Sequence, residues 1–346
     1  METKFTTTFL TNRGRQFKMV VEQLLFDFPE VGLAFAYGSG VFTQNDNANT
    51  KDNMLDVVFV VEDSFKWHKS NLRLNKSHYS IFARVFGLRM INCFQNDFSA
   101  NIYFNTLVPW NGRLVKYGVI SKQYLIEDLV DWTSLYVSGR LHKPVKFLSV
   151  CPTDIQCALN KNLHHAIRTS LLCLPDRFLD EELFMQITNL SYGGDFRMVI
   201  GENKNKVSNI VKPNIEHFRK LYYPLLNEYD INICNNFIHQ NCDAEKRFEL
   251  LQSLPKNLKG QIIKWQMPGL RLHPLKSPSN EMQDAILYSL AHNNKKTSEL
   301  ALRGARSIVR YSSISQSLKG IITAGMLKSV VYSSKKVGKM FRGMLK

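Results

Sequence analysis

The chain has 346 residues, 44% of them hydrophobic, which suffices to fill the core of one large domain or two ordinary ones. No run reaches the roughly 18 to 20 apolar residues of a membrane span, so an integral helical membrane protein is excluded. Net charge is +16, yet Arg303 to Lys346 hold ten Lys and Arg with no Asp or Glu, leaving a body of 35 basic and 29 acidic residues and a basic tail suited to phosphates of nucleic acid or of anionic lipid.

Six cysteines occur without a Cys-x-x-Cys pair or a secretory signal, which argues for a reducing compartment and against a disulfide framework or structural zinc. The N-terminus is Thr-rich, with Lys4, Arg13, Arg15 and Lys18 against Glu2 alone. That suits an organelle transit peptide or an ordinary flexible lead into a helix.

Apolar residues at helical spacing from Phe17 to Phe28 predict a helix over about 14 to 28, ending before Pro29. A strand follows at Leu33 to Tyr37 and stops at the turn Gly38-Ser39-Gly40. A polar loop then leads to a second strand, MLDVVFVV, from Met54 to Val61. A helix is expected over Ser64 to Phe86, then strands at Asn101 to Val108 and Arg113 to Ser121 joined by Pro-Trp-Asn-Gly, and a strand at Lys146 to Val150. From Thr153 the signals become helical, most clearly over Thr153 to Leu174, Asp180 to Leu190 and Asn214 to Leu226. Pro268 to Pro278 reads as a linker. The expected class is α/β (α+β), a mixed sheet flanked by helices followed by a largely helical region, with no internal repeat.

A strand ending in Gly-Ser, a loop, and a neighbouring strand bearing Asp56 is how polymerase-beta-like nucleotidyltransferases hold a triphosphate. Gly38 lets backbone approach phosphate oxygens, Ser39 supplies hydroxyl and amide donors, and Asp56 is placed to bind the magnesium, or another divalent cation, that bridges the phosphates. Such enzymes carry carboxylates at i and i+2, whereas position 58 here is Val58. Asp195, after two glycines in SYGGDFRM, is the candidate second ligand, with a loop or N-cap role as its alternative. Lys51, Lys116, Arg197 and Lys212 are candidate phosphate partners. Lys116 leads, because it interrupts the apolar strand RLVKYGVIS, where an unpaired charge is costly.

The segments YGSGVF (37 to 42), MLD (54 to 56), WHKSNLRLNKSHYS (67 to 80), NGRLVKYGVIS (111 to 121), SGRLHKPVK (138 to 146), GDFRM (194 to 198), NIVKPNIEHFRKLY (209 to 222) and SSISQSLKGIITAG (312 to 325) resemble the mitochondrial CTP:phosphatidate cytidylyltransferases, also called translocator assembly and maintenance proteins. The resemblance implies transfer of CMP from CTP to phosphatidic acid, peripherally on the matrix face of the mitochondrial inner membrane and early in cardiolipin synthesis. It also implies a divalent metal and a nucleotidyltransferase-like fold with a winged-helix-like second domain. The corresponding division is an N-terminal segment 1 to 13, a nucleotidyltransferase-like domain 14 to 215, a smaller helical domain 216 to 302 and the tail 303 to 346. By position it assigns Gly38, Ser39, Lys51 and Tyr117 to the nucleotide and Asp56, Lys116 and Asp195 to catalysis. His68, His78, His164 and His165 are expected to pack or hydrogen-bond.

The tail also reads as a lipid contact. At about 100° per residue, Val330, Val337, Phe341, Met344 and Leu345 gather on one face of its last 19 residues, with Lys335, Lys336, Lys339 and Arg342 opposite. Lys335, Lys336, Val337, Lys339, Phe341 and Arg342 are the expected contacts with an anionic phospholipid surface, the alternative being a helix docked on the protein's own core. A homo-oligomer is left open. Two other functions compete: a nucleic-acid nucleotidyltransferase, disfavoured because few aromatics interleave the tail's cations, and a non-catalytic assembly factor, for which Val58 is the argument.

Overall fold

The computed structural model describes residues 23–44, 53–98, 100–200, 205–267 and 278–324. Lys51 and the six membrane candidates Lys335, Lys336, Val337, Lys339, Phe341 and Arg342 lie outside them.

Five strands form one mixed sheet: β1 (Leu33–Tyr37), β2 (Leu55–Val61), β3 (Ile102–Trp110), β4 (Arg113–Ser121) and β5 (Lys146–Phe147), in the order β3-β4-β2-β1-β5. β2 and β4 run parallel and the other pairs antiparallel. After Asp56, the central strand β2 is a continuous run of Val and Phe, because both faces of the sheet are covered. One face packs Val57, Phe59, Val115 and Tyr117 against Phe28 and Trp67. The other packs Phe35, Val58 and Phe104 against Leu125, Leu129 and Val137. Asn111 and Gly112, with φ 46° and 72°, close the β3-β4 hairpin in the left-handed backbone that a two-residue turn demands.

Three expectations change. The helix read over 64 to 86 is two helices, Ser64–Leu74 and Ile81–Asn96, because Asn75 ends the first and Ser80 starts the second by accepting from the Ala83 amide at 3.2 Å. The strand expected over 146 to 150 shrinks to Lys146–Phe147. A second sheet appears, β6 (Arg177–Leu179), β7 (Ile231–Cys234) and β8 (Phe237–Gln240), ordered β6-β8-β7.

The helical region has one apolar core that draws on residues from Trp132 to Val309. The helix Asn294–Ala324, 31 residues and thus about 46 Å long, joins that core to the first sheet. Leu300, Ala301, Ala305 and Val309 are buried among the helices. Farther on, Gln316 Nε2 donates to the Ile102 carbonyl at 3.4 Å and Lys319 Nζ to the Phe98 carbonyl at 3.1 Å. Residues 303 to 324, which composition groups with the tail, continue this packed helix. Among the described residues no helix is long and apolar enough to cross a membrane.

Candidate functional site

Register builds the centre of the site. Tyr37 on β1 lies opposite Asp56 on β2, which lies opposite Lys116 on β4. Directly paired residues share a face, so a phenol, a carboxylate and an ammonium form one row across three strands. The row next to it is Phe35, Val58 and Gly118, with Phe104 opposite Gly118 on β3. A Cβ on Gly118 would stand 2.5 Å from the Phe104 ring, so the ring fills the space a side chain would take. The i+2 position, where polymerase-beta-like nucleotidyltransferases carry a second carboxylate, therefore lies in a sealed apolar row, and Val58 is fully buried there.

At the end of β1 the chain turns through Gly38–Gly40. Gly38 has φ +76°, and a Cβ on it would stand 3.6 Å from Asp56 Oδ2, so the turn lies against the carboxylate. Gly40 is needed for space, since a Cβ would meet the Met54 carbonyl at 2.6 Å. The loop that follows is tied at its mouth. Arg113 donates to the Asn53 and Gly40 carbonyls, each at 2.9 Å, and Asn53 Nδ2 donates to the Ser39 carbonyl at 3.1 Å. Its outgoing end is held by Asn214 Nδ2 on the Thr43 carbonyl at 2.9 Å.

Two further segments bring charge to the row. Asp128 accepts from six donors of the chain that follows it: Thr133 and Ser134 hydroxyls and the amides of Ser134, Leu135, Val137 and Ser138. This carboxylate stabilises a loop in which Trp132 and Leu135 take φ 54° and 53°, a conformation that costs a non-glycine residue roughly 1 to 2 kcal/mol. The loop presents Tyr136 and leads into the short helix Ser138–Leu141. From it Arg140 lies over the Tyr136 ring at 4.2 Å and the Tyr37 ring at 5.1 Å. The turn 191 to 195 is the other segment. Gly194 lets it press on the backbone of the long helix, where a Cβ would overlap the Arg306 carbonyl, and Asp195 is buried. Both Asp195 oxygens accept from Arg197, one through Nε at 2.9 Å and the other through Nε at 3.0 Å and Nη2.

The charges of these groups act on one another. Burial raises the Tyr37 hydroxyl pKa, the Arg140 charge opposes this, and the Asp56 charge raises it further. Desolvation works to raise the hydroxyl of the partly buried Tyr136, but Arg140, Lys116 and Arg197 together pull it below the usual tyrosine value. Burial works against the charges of Arg140 and Arg197, yet Tyr136 and Tyr37 hold the first ionised and the Asp195 hydrogen bonds hold the second. Lys143 donates to the Gly139 carbonyl and to Ser191 Oγ, and burial brings its ammonium down to about 7. Lys116, Arg140, Lys143 and Arg197 outnumber Asp56 and Asp195, a balance that suits a polyanionic ligand.

Among the sequence candidates, Gly38, Ser39, Asp56 and Lys116 meet at the row, and Asp195 and Arg197 reach it as a pair. Tyr117 does not. It follows Lys116 in a strand and so faces the other side of the sheet, where its hydroxyl bonds Asn71 at 3.0 Å, Asn105 at 2.9 Å and His78 at 3.1 Å. Lys212 pairs with Glu181 at 3.8 Å. His68 bonds Tyr79 and Gln95, and His164 bonds Tyr229. Tyr37, Tyr136, Arg140, Lys143 and the organising Asp128 were missed. Only the Asp128 segment carried a local signal, an acid followed by Thr and Ser at hydrogen-bonding reach.

A family described as mitochondrial phosphatidate cytidylyltransferase matches residues 21–339. Among proteins of that name, the mouse one is 43% identical over 332 residues, covering 94% of this chain and 95% of that one. The Xenopus laevis protein is 42% identical, covering 97% of each, and the Caenorhabditis briggsae protein 38% identical, covering 90% and 95%. A solved nucleotidyltransferase-like protein from Exiguobacterium sibiricum aligns over 88% of this chain and 78% of its own at 10% identity, but its TM-score of 0.24 is too low to bear on fold. With the family matched across nearly its whole length, this chain belongs to the mitochondrial phosphatidate cytidylyltransferases.

Proposed function

We propose that this chain transfers CMP from CTP to phosphatidate at the Tyr37, Asp56 and Lys116 row. The observation that carries the placement is the Gly38 turn lying against Asp56, with Lys116 beside it and Arg140 and Arg197 facing it. A phosphate oxygen of phosphatidate attacks the α-phosphorus of CTP. The bond from that phosphorus to the bridging oxygen breaks, and pyrophosphate leaves with the electron pair. The attacking phosphate is largely ionised near neutral pH, so the site needs no strong base, and positioning with charge neutralisation supplies the acceleration.

In this reading the Gly38-Ser39 turn offers backbone to the CTP phosphates, Lys116 neutralises charge at the sheet, and Arg140 and Arg197 neutralise it from opposite. Among the described residues no group of three or more His, Cys, Asp or Glu is arranged as a metal cage. The donors present fit a metal that arrives with its nucleotide, since magnesium commonly takes one or two protein carboxylates and completes its shell with phosphate oxygens and water. Asp56 is the carboxylate that would hold it, and Asp195 would join only by releasing Arg197. When bound, the cation offsets charge growing on the transferred group and on pyrophosphate. We place the enzyme peripherally on the matrix face of the inner membrane, where the basic tail meets anionic lipid.

The test uses the full chain with labelled CTP, magnesium and phosphatidate in vesicles. CDP-diacylglycerol should form, chelation should abolish it, and Asp56→Asn should raise the magnesium requirement. Labelling of an RNA end without any lipid product would overturn the assignment.

A further inference from the structure

From Ser64 to Asn96 the chain has six Lys and Arg and no Asp or Glu. Within that basic stretch the helix Ile81–Asn96 is broken at Gly87, with φ 72° and ψ −163°. Its first six residues are therefore a separate knob at the edge of the sheet, anchored by Ala83, which is buried beside Tyr79, Ile91 and Tyr103. Large apolar side chains of the knob turn outward: Ile81 is 71% exposed, Phe82 42%, Val85 71% and Phe86 58%. The Phe82 and Phe86 rings lie 4.4 Å apart. Exposed cations flank and interrupt this segment of the chain, and among the described residues Arg73, Lys76, Arg84 and Arg89 have no ion-pair partner.

Contiguous exposed hydrophobes ringed by charge mark a docking surface. Charge selects the occupant. A second copy would bring the same cations together, and the chain's own residues 325–346 carry six more Lys and Arg and no acid. An anionic bilayer supplies both complements: phosphates for the arginines and acyl chains for Ile81, Phe82, Val85 and Phe86. Each cation brought to such a surface adds about fivefold in partitioning.

We propose that the knob 81–86 inserts at the headgroup boundary of an anionic membrane, so that the folded body docks there independently of the terminal segment. Lys319, donating from the long helix to the Phe98 carbonyl just beyond the knob's helix, ties this contact to the helical core. Docking thereby sets the orientation of the whole fold over the lipid. The proposal rests on the reading that the acceptor is a bilayer lipid.

The experiment compares the full chain with Phe82→Ser/Phe86→Ser by flotation with phosphatidylcholine vesicles, with and without cardiolipin. The parent should float only with the anionic vesicles, and the variant should lose at least about tenfold in apparent affinity. Synthesis from vesicle phosphatidate should fall with it, while monomeric dihexanoyl phosphatidate is used at the parent rate. If the variant's thermal midpoint drops, Arg84→Glu/Arg89→Glu, which touches only exposed charge, decides in the same assay. Unchanged flotation of both variants overturns the proposal, as does a parent that floats equally with neutral vesicles. A variant that dissociates an oligomer while floating normally assigns the knob to a second copy and also overturns it. Should the parent float and the variants not, with no product from either phosphatidate, the docking stands and the reaction assignment fails.

Discussion

Installing the second carboxylate of polymerase-beta-like nucleotidyltransferases by Val58→Asp should unfold this protein rather than improve it. Val58 is fully buried between Phe35 and the Gly118 gap that Phe104 fills. Losing the valine's burial removes about 1.5 to 3 kcal/mol. A carboxyl there stays neutral, and if its pKa rises by about 3 to 4 units, keeping at pH 7 a proton that the unfolded chain loses near pH 4 costs about 4 kcal/mol more. The sum, about 5.5 to 7 kcal/mol, rivals the whole stability of an ordinary domain, about 5 to 15 kcal/mol. The pH dependence has a definite sign. Between the unfolded value near 4 and the raised folded value, the folded state holds a proton that the unfolded state has lost, so the penalty shrinks as pH falls, by about 1.4 kcal/mol per unit. Urea unfolding of parent and variant at pH 7 and pH 5 measures it, with a difference smaller by about 2.5 kcal/mol at the lower pH. A variant as stable as the parent at pH 7, or more active with added magnesium, would show that this row is open to the site and would refute the account of the lone Asp56.

Asp128→Ala should cost at least about 4 kcal/mol, because it strands four buried backbone amides at about 1 to 3 kcal/mol each before rehydration, and it should abolish activity by releasing the loop that presents Tyr136 and Arg140; thermal unfolding and turnover check both. Gly38→Ala and Gly112→Ala face similar backbone strain, at φ +76° and +72°, and each should lose roughly 1 to 2 kcal/mol. Only the first places a methyl against Asp56, so only it should lower kcat/KM for CTP by about tenfold or more. Lys143 has a folded pKa of about 7, below its unfolded value near 10.4. The unfolded state therefore binds the extra proton between these values, and stability should climb with pH across that window by up to about 1.4 kcal/mol per unit. Lys143→Met should flatten the climb in urea titrations, and an unchanged slope would mean that the ammonium stays charged.

Much of the site was legible before any fold was known. A strand running into Gly-Ser-Gly, and a charged residue inside the apolar run around Lys116, are local patterns with local causes. The period of a strand also forbids Lys116 and Tyr117 from serving the same site, so alternation alone sends Tyr117 to the other face once Lys116 is assigned. Asp195 is buried after its glycines, where it accepts from the Arg197 amide and guanidinium, in a turn whose shape depends on the long helix beneath. The split of the helix at Asn75 to Ser80 was signalled by Ser80, a good N-cap that apolar periodicity alone overlooks.

The four longer strands of the first sheet, the Gly38 turn and Asp56 were determined by the sequence alone, because apolar patterning, left-handed backbone and residue chemistry act over a few neighbouring positions. Tertiary structure decided which residues face Asp56. Tyr37 and Lys116 arrive through strand register, Arg140 through a loop folded around Asp128, and Arg197 through a turn braced on the long helix. Each rests on hydrogen bonds and packing between segments distant in the chain, which no local pattern records.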